Sequence, residues 1–139
     1  MSREGSQGDG ARRPQTLVAL PEAILDERGR IQPLLEGAFA SAMLIESRKG
    51  SVRANHFHKT DWHYCYMLQG AMEYYERPAG SLEKPRLLKA RAGQMLFTPP
   101  MVEHAMRFLE DTLWLTLSRN PRDQKAYEAD VVRVSLIKP

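Results

Sequence analysis

From Thr16 onward, short runs of apolar and aromatic residues alternate with polar clusters that favour turns. Val, Tyr, Phe, Leu and Met fill the runs, and Gly, Pro, Asn and charged residues separate them. This alternation is typical of short antiparallel strands. It predicts strands over residues 16–20, 39–47, 52–58, 63–69, 72–77, 87–89, 94–98, 104–109, 113–118 and 131–134. Only residues 123–130 and 21–26 have a pattern that suits a short helix.

Turn-forming residues stand between almost all of the predicted strands, as at Gly50, Gly70 and Gly93. Many short antiparallel strands leave few exposed edges when they close into a barrel. We therefore predict an all-β fold, a jelly-roll barrel, as a single domain over residues 15–139. Residues 1–14 are rich in Gly, Ser and charged residues and lack apolar periodicity, so we predict a flexible tail there.

Length, charge and cysteine content narrow the class of protein. A chain of 139 residues with 42% hydrophobic content has the size of one domain with one core. Its net charge of +3 comes from scattered Lys and Arg residues that form no basic stripe, so nucleic acid is not an expected partner. Cys65 is the only cysteine, which excludes an intrachain disulfide and favours a reducing compartment.

No apolar run approaches the roughly 18 residues that a membrane span requires. The polar N-terminus also lacks the apolar segment of a signal peptide. We therefore expect a cytoplasmic protein that has no membrane partner.

Three of the four histidines lie within eight residues of one another, between His56 and His63. Side chains at positions i and i+2 of a strand share a face, so His56 and His58 should point to the same side of the sheet. The next strand returns antiparallel and should place His63 opposite them. Neutral imidazole is the most common protein ligand of transition metals, so this grouping predicts a metal site.

The spacing of the histidines resembles the two sequence motifs of the cupin family. The first motif is matched by Gly50, His56, His58, His63 and Gly70, and the second by Gly93, Pro99 and His104. The resemblance implies the cupin double-stranded β-helix, which is a jelly-roll barrel. It also implies one divalent transition metal ion (Zn, Mn, Fe or Ni) held by His56, His58, His63 and His104.

The chain departs from the usual cupin pattern at three positions. His63 stands where the first motif usually has Glu, Met101 where the second usually has Gly, and Phe108 where it usually ends in Asn. Four neutral imidazoles leave the ion its full charge and make it a stronger Lewis acid. We expect the turn before the last histidine to form without the usual Gly if the backbone of Met101 keeps a negative φ.

Strand alternation predicts a mostly apolar lining around the ion, with Cys65 and Met67 on the face of His63, and Met106 and Phe108 on that of His104. Three side chains are candidates for acid or base, namely Asp61, Glu103 and Tyr74. Each also has a plainer interpretation. Asp61 suits a turn, Glu103 an outer or surface carboxylate, and Tyr74 a half-buried strand position.

Residues 50–59 and 117–123 are similar to small RmlC-like cupins associated with polysaccharide and nucleotide-sugar biosynthesis. This similarity implies isomerisation or epimerisation of a keto-sugar or related carbohydrate, in which the metal polarises a carbonyl while Glu103 or Tyr74 moves a proton. A non-haem metal dioxygenase is the first alternative, because four protein ligands leave two positions open on a six-coordinate ion. A non-catalytic module that binds or senses a small molecule is the second.

We also predict a homodimer, since small barrels can cover strand edges by pairing them across a two-fold axis. The predicted strands 16–20 and 131–134 are the expected interface.

Overall fold

The computed structural model describes residues 15–139, and the tail predicted over residues 1–14 lies outside them. The strands of the described part are β1 (Ile24–Asp26), β2 (Gly29–Ile31), β3 (Ser41–Ser47), β4 (Val52–His58), β5 (His63–Gln69), β6 (Ala71–Pro78), β7 (Arg86–Arg91), β8 (Met95–Thr98), β9 (Val102–Phe108), β10 (Thr112–Ser118) and β11 (Val131–Arg133). One helix, α1 (Gln124–Asp130), lies between β10 and β11. Within these residues no helix is long and apolar enough to cross a membrane.

Two antiparallel sheets contain most of the strands. The larger sheet has the order β11-β4-β9-β6-β7, and the smaller one has the order β3-β10-β5-β8. Strands that are far apart in sequence therefore pair, as β4 does with β9, which is typical of a jelly roll. Buried residues of both sheets belong to one hydrophobic cluster, so the sheets face each other. The predicted all-β jelly roll is confirmed.

The alternation of apolar residues located the barrel strands well. Strands β4 and β5 have the predicted bounds, and the other barrel strands begin and end within two residues of theirs. Cys65 and Met67 of β5 are completely buried, and so is Phe108 of β9, as expected for the inner face. These side chains, together with Met72 of β6, fill the end of the barrel that we call the apolar end.

The segment predicted as a strand over residues 16–20 does not form one. A single bridge joins Leu17 to Leu96 of β8. On either side of it, the Val18 N–H donates to the Met95 carbonyl at 2.9 Å, and the Phe97 N–H donates to the Thr16 carbonyl at 2.8 Å. The segment covers the edge of the smaller sheet only briefly, because Pro21 then supplies no N–H for a ladder.

The short helix predicted over residues 21–26 is wrong, because this region forms the hairpin β1–β2. Asp26 closes the turn by accepting the Arg28 N–H on Oδ1 at 2.8 Å. Gly29 then takes a φ of 134°, which other residues rarely adopt. All six hairpin residues are exposed, so no burial pattern marked these strands in the sequence.

A β-bulge lies directly before the first histidine. In the pairing of β9 with β4, His104 is opposite His56, but Ala105 is opposite Ala54, so Asn55 has no partner in the ladder. Ala54 and Asn55 have φ values of 72° and 56°. The bulge sets the direction of β4 where the histidines begin.

Met101 adopts a φ of 63°, so the expectation that it keeps a negative φ is wrong. The turn requires the left-handed conformation that the usual Gly would provide without strain. Two hydrogen bonds hold Met101 there. Its N–H donates to the His58 carbonyl at 2.7 Å, and its carbonyl accepts the Ala79 N–H at 2.9 Å.

Candidate functional site

Four histidines line one cavity of about 200 Å³ at the end of the barrel opposite the apolar end. We call this the histidine end. The ring centroid of His56 is 4.7 Å from that of His58 and 4.8 Å from that of His104. These three residues each place one nitrogen within 4.8 Å of the others. The ring of His63 is 5.2 Å from that of His104, but its nitrogens do not join this group of three.

The hydrogen bonds of two histidines indicate which ring nitrogen faces a ligand. His58 Nδ1 lies 3.2 Å from Asp130 Oδ2, and His104 Nδ1 lies 3.0 Å from the Val102 carbonyl oxygen. A carboxylate and a carbonyl accept hydrogen bonds, so each Nδ1 carries the proton and each Nε2 keeps its lone pair. Both Nε2 atoms are buried without a partner in residues 15–139, as is Nδ1 of His63.

The histidines favour the neutral state that a metal ligand requires. Burial lowers the pKa of His56 to about 2 and that of His104 to about 4. Burial also holds the pKa of His63 well below its ordinary value and lowers that of His58. Neutral imidazoles with buried, unpartnered nitrogens fit a divalent transition metal ion.

Asp130, the last residue of α1, fixes the orientation of His58. Its Oδ1 accepts hydrogen bonds from the Thr60 N–H at 2.8 Å and the Thr60 hydroxyl at 2.7 Å, and its Oδ2 accepts the Asp61 N–H at 3.2 Å. Burial raises the pKa of Asp130, but these hydrogen bonds outweigh burial and keep it below its ordinary value. An ionised Asp130 can therefore hold the Nδ1 proton of His58 at neutral pH.

Glu103 lies outside the cavity wall. Its carboxylate accepts the Arg77 Nε–H at 2.8 Å and the Gly80 N–H at 3.1 Å. Because β9 alternates, Glu103 points to the side of the sheet opposite His104. The structure therefore separates Glu103 from the histidines, and of its predicted interpretations the outer carboxylate fits best.

Tyr74 is completely buried beside His104, with the two rings stacked at 6.2 Å, but it does not line the cavity. Its hydroxyl is 2.6 Å from Thr98 Oγ1, and burial raises its pKa well above the ordinary value. Asp61 is also buried, which raises its pKa, and it accepts the Asn120 N–H at 2.9 Å. Of the three candidates for acid or base, none is part of the cavity wall.

The segment after β10 supplies cavity residues to which the sequence analysis gave no role. Tyr127 of α1 packs its ring 5.9 Å from that of His58 and 6.4 Å from that of His56. The guanidinium carbon of Arg122 lies 4.5 Å from the centre of the Tyr127 ring. Both side chains line the cavity, together with Thr116 of β10. No local spacing links these residues to the histidines.

Solved structures match the chain in fold, whereas no family model and no curated protein matches it in sequence. A sugar 3,4-ketoisomerase from Thermoanaerobacterium thermosaccharolyticum, in complex with TDP, has a TM-score of 0.67 and 17% identity, over 86% of this chain and 85% of that chain. A 3,4-ketoisomerase from Helicobacter canadensis has a TM-score of 0.68 and 18% identity, over 81% and 85% of the respective chains. The dTDP-4-dehydrorhamnose 3,5-epimerase from Sulfolobus tokodaii has a TM-score of 0.68 and 17% identity, over 91% and 86%.

At identities this low, the likeness establishes the fold. The chain has a jelly-roll fold like that of these sugar enzymes, as the two histidine motifs implied.

Proposed function

We propose that the protein is an isomerase or epimerase of a keto-sugar carried on a nucleotide. The observation that carries this proposal is the cavity into which β4, β5 and β9 bring four neutral histidines. The structural neighbours support it as well, because they are sugar ketoisomerases and an epimerase, and one was solved with TDP. Since one fold hosts unrelated chemistries, the proposal depends on the site and not on the fold alone.

In this proposal one divalent transition metal ion (Zn, Mn, Fe or Ni) is held by His56, His58, His63 and His104. When bound, such an ion would polarise the carbonyl of the substrate. Asp130 keeps the proton of His58 on Nδ1, so that Nε2 stays available as a ligand. The apolar side chains Met43, Ile45, Met106 and Trp114 also line the cavity and would limit the access of bulk water to the reacting carbon.

The proton at the carbon next to the carbonyl needs a carrier within the cavity. Glu103 is held by Arg77 and Tyr74 by Thr98, so neither predicted candidate lines the cavity. Tyr127 does line it, beside the rings of His56 and His58. We therefore assign the proton transfer to Tyr127, whose phenolate oxygen would take the proton from the carbon and, as the hydroxyl, would return it to the rearranged sugar.

The test is turnover of the full-length protein, with its metal content measured, on a panel of nucleotide-linked 4-keto-sugars. NMR should detect exchange of the proton next to the carbonyl with solvent deuterium and then a rearranged sugar. The matched control is His58→Ala, which should lose both the metal and the exchange. A metal-loaded protein that exchanges no proton on any member of the panel would contradict the proposal. Consumption of O₂ without exchange would favour the dioxygenase, and binding without either reaction would favour the sensor.

We also propose a homodimer, with an interface different from the one predicted. Residues 17–44 contain six of the eleven large hydrophobic side chains that are exposed in the described chain. In the hairpin, Ile24, Leu25 and Ile31 are 59 to 72% exposed. Within residues 15–139 these side chains stay exposed, and a second copy presents the same apolar hairpin for a two-fold contact. The predicted strand 16–20 instead contacts β8, while β11 remains an edge strand.

Light scattering at micromolar concentration tests this assembly. The parent protein should have the mass of a dimer, and Leu25→Asp should have that of a monomer. Leu82→Asp is the matched control, since Leu82 is 99% exposed outside this region. A monomeric parent, or a dimer in Leu25→Asp, would contradict the proposed interface.

A further inference from the structure

The proposed metal ion would bind only half of the buried polar atoms that lack a hydrogen-bond partner in the described chain. Within residues 15–139, six buried side-chain atoms have no hydrogen-bond partner. Three are imidazole nitrogens, which an ion would satisfy. The other three come from one short stretch of chain, and they are Thr116 Oγ1, Ser118 Oγ and Arg122 Nε. Buried donors without acceptors are unfavourable, so this cluster requires a partner of its own.

Thr116 and Arg122 both line the cavity, on the wall formed by β10 and the segment that follows it. Thr116 is only 4% exposed, yet its hydroxyl has no partner among the described residues. Two residues further along the same face, Ser118 is 1% exposed and is opposite His63 in the sheet. A hydroxyl and a guanidinium thus lie on one wall of the cavity, and the Ser118 hydroxyl follows Thr116 on the same face of β10.

Arg122 also brings a positive charge to the cavity wall. Among residues 15–139 it forms no ion pair with a carboxylate. The two buried carboxylates near the cavity have other partners, because Asp61 accepts from Asn120 and Asp130 accepts from Thr60. Arg53, in the same cavity wall, is by contrast satisfied, since it donates to Ser47 Oγ at 2.7 Å and to the Glu46 carbonyl at 3.0 Å.

The Tyr127 ring holds the guanidinium in place without using any of its donors. A guanidinium stacked on an aromatic ring keeps its N–H groups free in its own plane, which matches the geometry of a carboxylate or phosphate. The side chain is therefore oriented in advance for an oxyanion, and its Nε is already shielded from water.

We infer that Thr116 and Arg122 form an anion subsite, which binds a carboxylate or phosphate oxygen of the ligand beside the four histidines. The inference rests on the proposed function, because it specifies the substrate as an anionic keto-sugar whose charged group binds at this wall. The subsite itself binds the oxyanion whether or not a reaction follows.

The test measures binding of inorganic phosphate and of acetate to the full-length protein, by calorimetry or by NMR shifts, at constant ionic strength. The parent should bind at least one of the two anions. Arg122→Met keeps the length and can still pack on Tyr127, and it should weaken binding about tenfold or more. Thr116→Val removes only the hydroxyl and should weaken it by a smaller factor. Arg119→Met is the matched control, because Arg119 lies on the surface nearby and donates to Asn120 Oδ1.

Stability distinguishes this role from a structural one. Removing a charge that has no partner should leave the thermal midpoint of ligand-free Arg122→Met unchanged or higher. Preference for phosphate would support a phosphorylated ligand at this wall, and preference for acetate would support a sugar acid. A parent that binds neither anion, or an Arg122→Met protein that binds as the parent does, would overturn the inference. The experiment measures anion binding and not turnover. Its result therefore still tests the anion subsite if the proposed reaction is not found.

Discussion

The two ends of the barrel interior differ in how completely their atoms are satisfied. At the apolar end, Met67, Met72 and Phe108 are fully buried, and no buried polar side-chain atom of the described chain lacks a partner. At the histidine end, all six unpartnered polar atoms are found. The three non-glycine residues with positive φ also lie there, since Ala54 lines the cavity, Asn55 precedes His56, and Met101 is bonded to His58.

This difference assigns separate tasks to the two ends. Strained backbone and unpartnered donors persist only where the rest of the fold compensates for them. The apolar end supplies that stability, while the histidine end leaves three imidazole nitrogens, two hydroxyls and a guanidinium nitrogen of the described chain without partners. Changes at the apolar end should therefore alter stability alone, and changes at the histidine end should alter ligand binding first.

The largest expected effect comes from the apolar end. Phe108→Ala leaves a cavity beside Trp114, whose ring centroid is 5.6 Å away, and should lower the free energy of unfolding by about 3 to 5 kcal/mol. Urea unfolding measures this change, with Leu82→Ala as the exposed control. The metal content of the folded fraction should not change. Loss of metal at the same time would show that the two ends are not separate.

His58→Ala, at the histidine end, should lower the metal content, and its effect on stability should depend on the presence of the ion. It should remove the metal, together with the stabilisation that a ligand of the folded state provides, about 2.7 kcal/mol at a hundredfold excess over Kd. Thermal unfolding with and without a chelator measures both. In chelator the variant should still be less stable than the parent, because it loses the hydrogen bond between His58 Nδ1 and Asp130, and the further difference that appears when metal is present measures the contribution of the ion. A metal content equal to that of the parent would count against the proposed ligand set.

Asp130→Asn tests how the Asp130 carboxylate orients His58, while His58 itself is kept. The amide is nearly isosteric but cannot hold the Nδ1 proton as a carboxylate does, so metal affinity should fall about 10- to 100-fold. Competition with a chromophoric chelator measures the affinity. Glu128→Gln, on the exposed side of α1 where it pairs with Arg133, should leave it unchanged. Equal losses in the two variants would indicate a general effect of α1.

Acid should destabilise the metal-free protein through the histidine end. Burial lowers the pKa of His104 to about 4, so between pH 6.5 and this value the unfolded chain binds a proton that the folded protein does not. The stability is therefore present above pH 6.5 and falls with decreasing pH, by up to about 1.4 kcal/mol per unit for this residue. Urea unfolding in chelator at pH 7 and pH 5 should show a smaller loss for His104→Gln than for the parent. Equal losses would refute this assignment.

The smallest effect concerns strain at the histidine end. Met101 has a φ of 63° and is 50% exposed, so Met101→Gly removes a steric penalty without opening a cavity. The greater freedom of glycine in the unfolded chain offsets part of this gain, and the free energy of unfolding should rise by up to about 1 kcal/mol. Differential scanning calorimetry measures the change. A lower stability would mean that the methionine side chain makes contacts that outweigh the strain.

The sequence predicted the features that depend on local periodicity. Strand β5 alternates over most of its length, so its bounds and its inner face could be read directly. The bounds of β4 were predicted too, which placed three histidines together, although its bulge interrupts the alternation. The hairpin β1–β2 was missed because it is exposed on both faces, and an exposed strand leaves no alternating pattern. The left-handed conformation of Met101 was missed because a methionine gives no sign that its neighbours will hold it there.

Other residues of the site were missed for a different reason. Asp130, Arg122 and Thr116 reach the histidines only through the folding of the whole barrel. In a single sequence their types are ordinary for a helix end, a loop and a strand. Glu103 shows the opposite error. Its position next to His104 suggested a role as acid or base, but the alternation of β9 directs its side chain away from the cavity. Adjacency in sequence places side chains on opposite sides of a strand.

The position of Asp130 also has a consequence for the order in which the chain is made. His58 leaves the ribosome 72 residues before the carboxylate that orients it. At a synthesis rate of about 5 to 20 residues per second, His56, His58 and His63 are present for several seconds before Asp130 is available. During that interval His58 can adopt either tautomer, so an ion that meets the nascent chain early finds its ligands unoriented. Because α1 is synthesised late, we expect the chain to reach its full metal affinity only after its synthesis is complete.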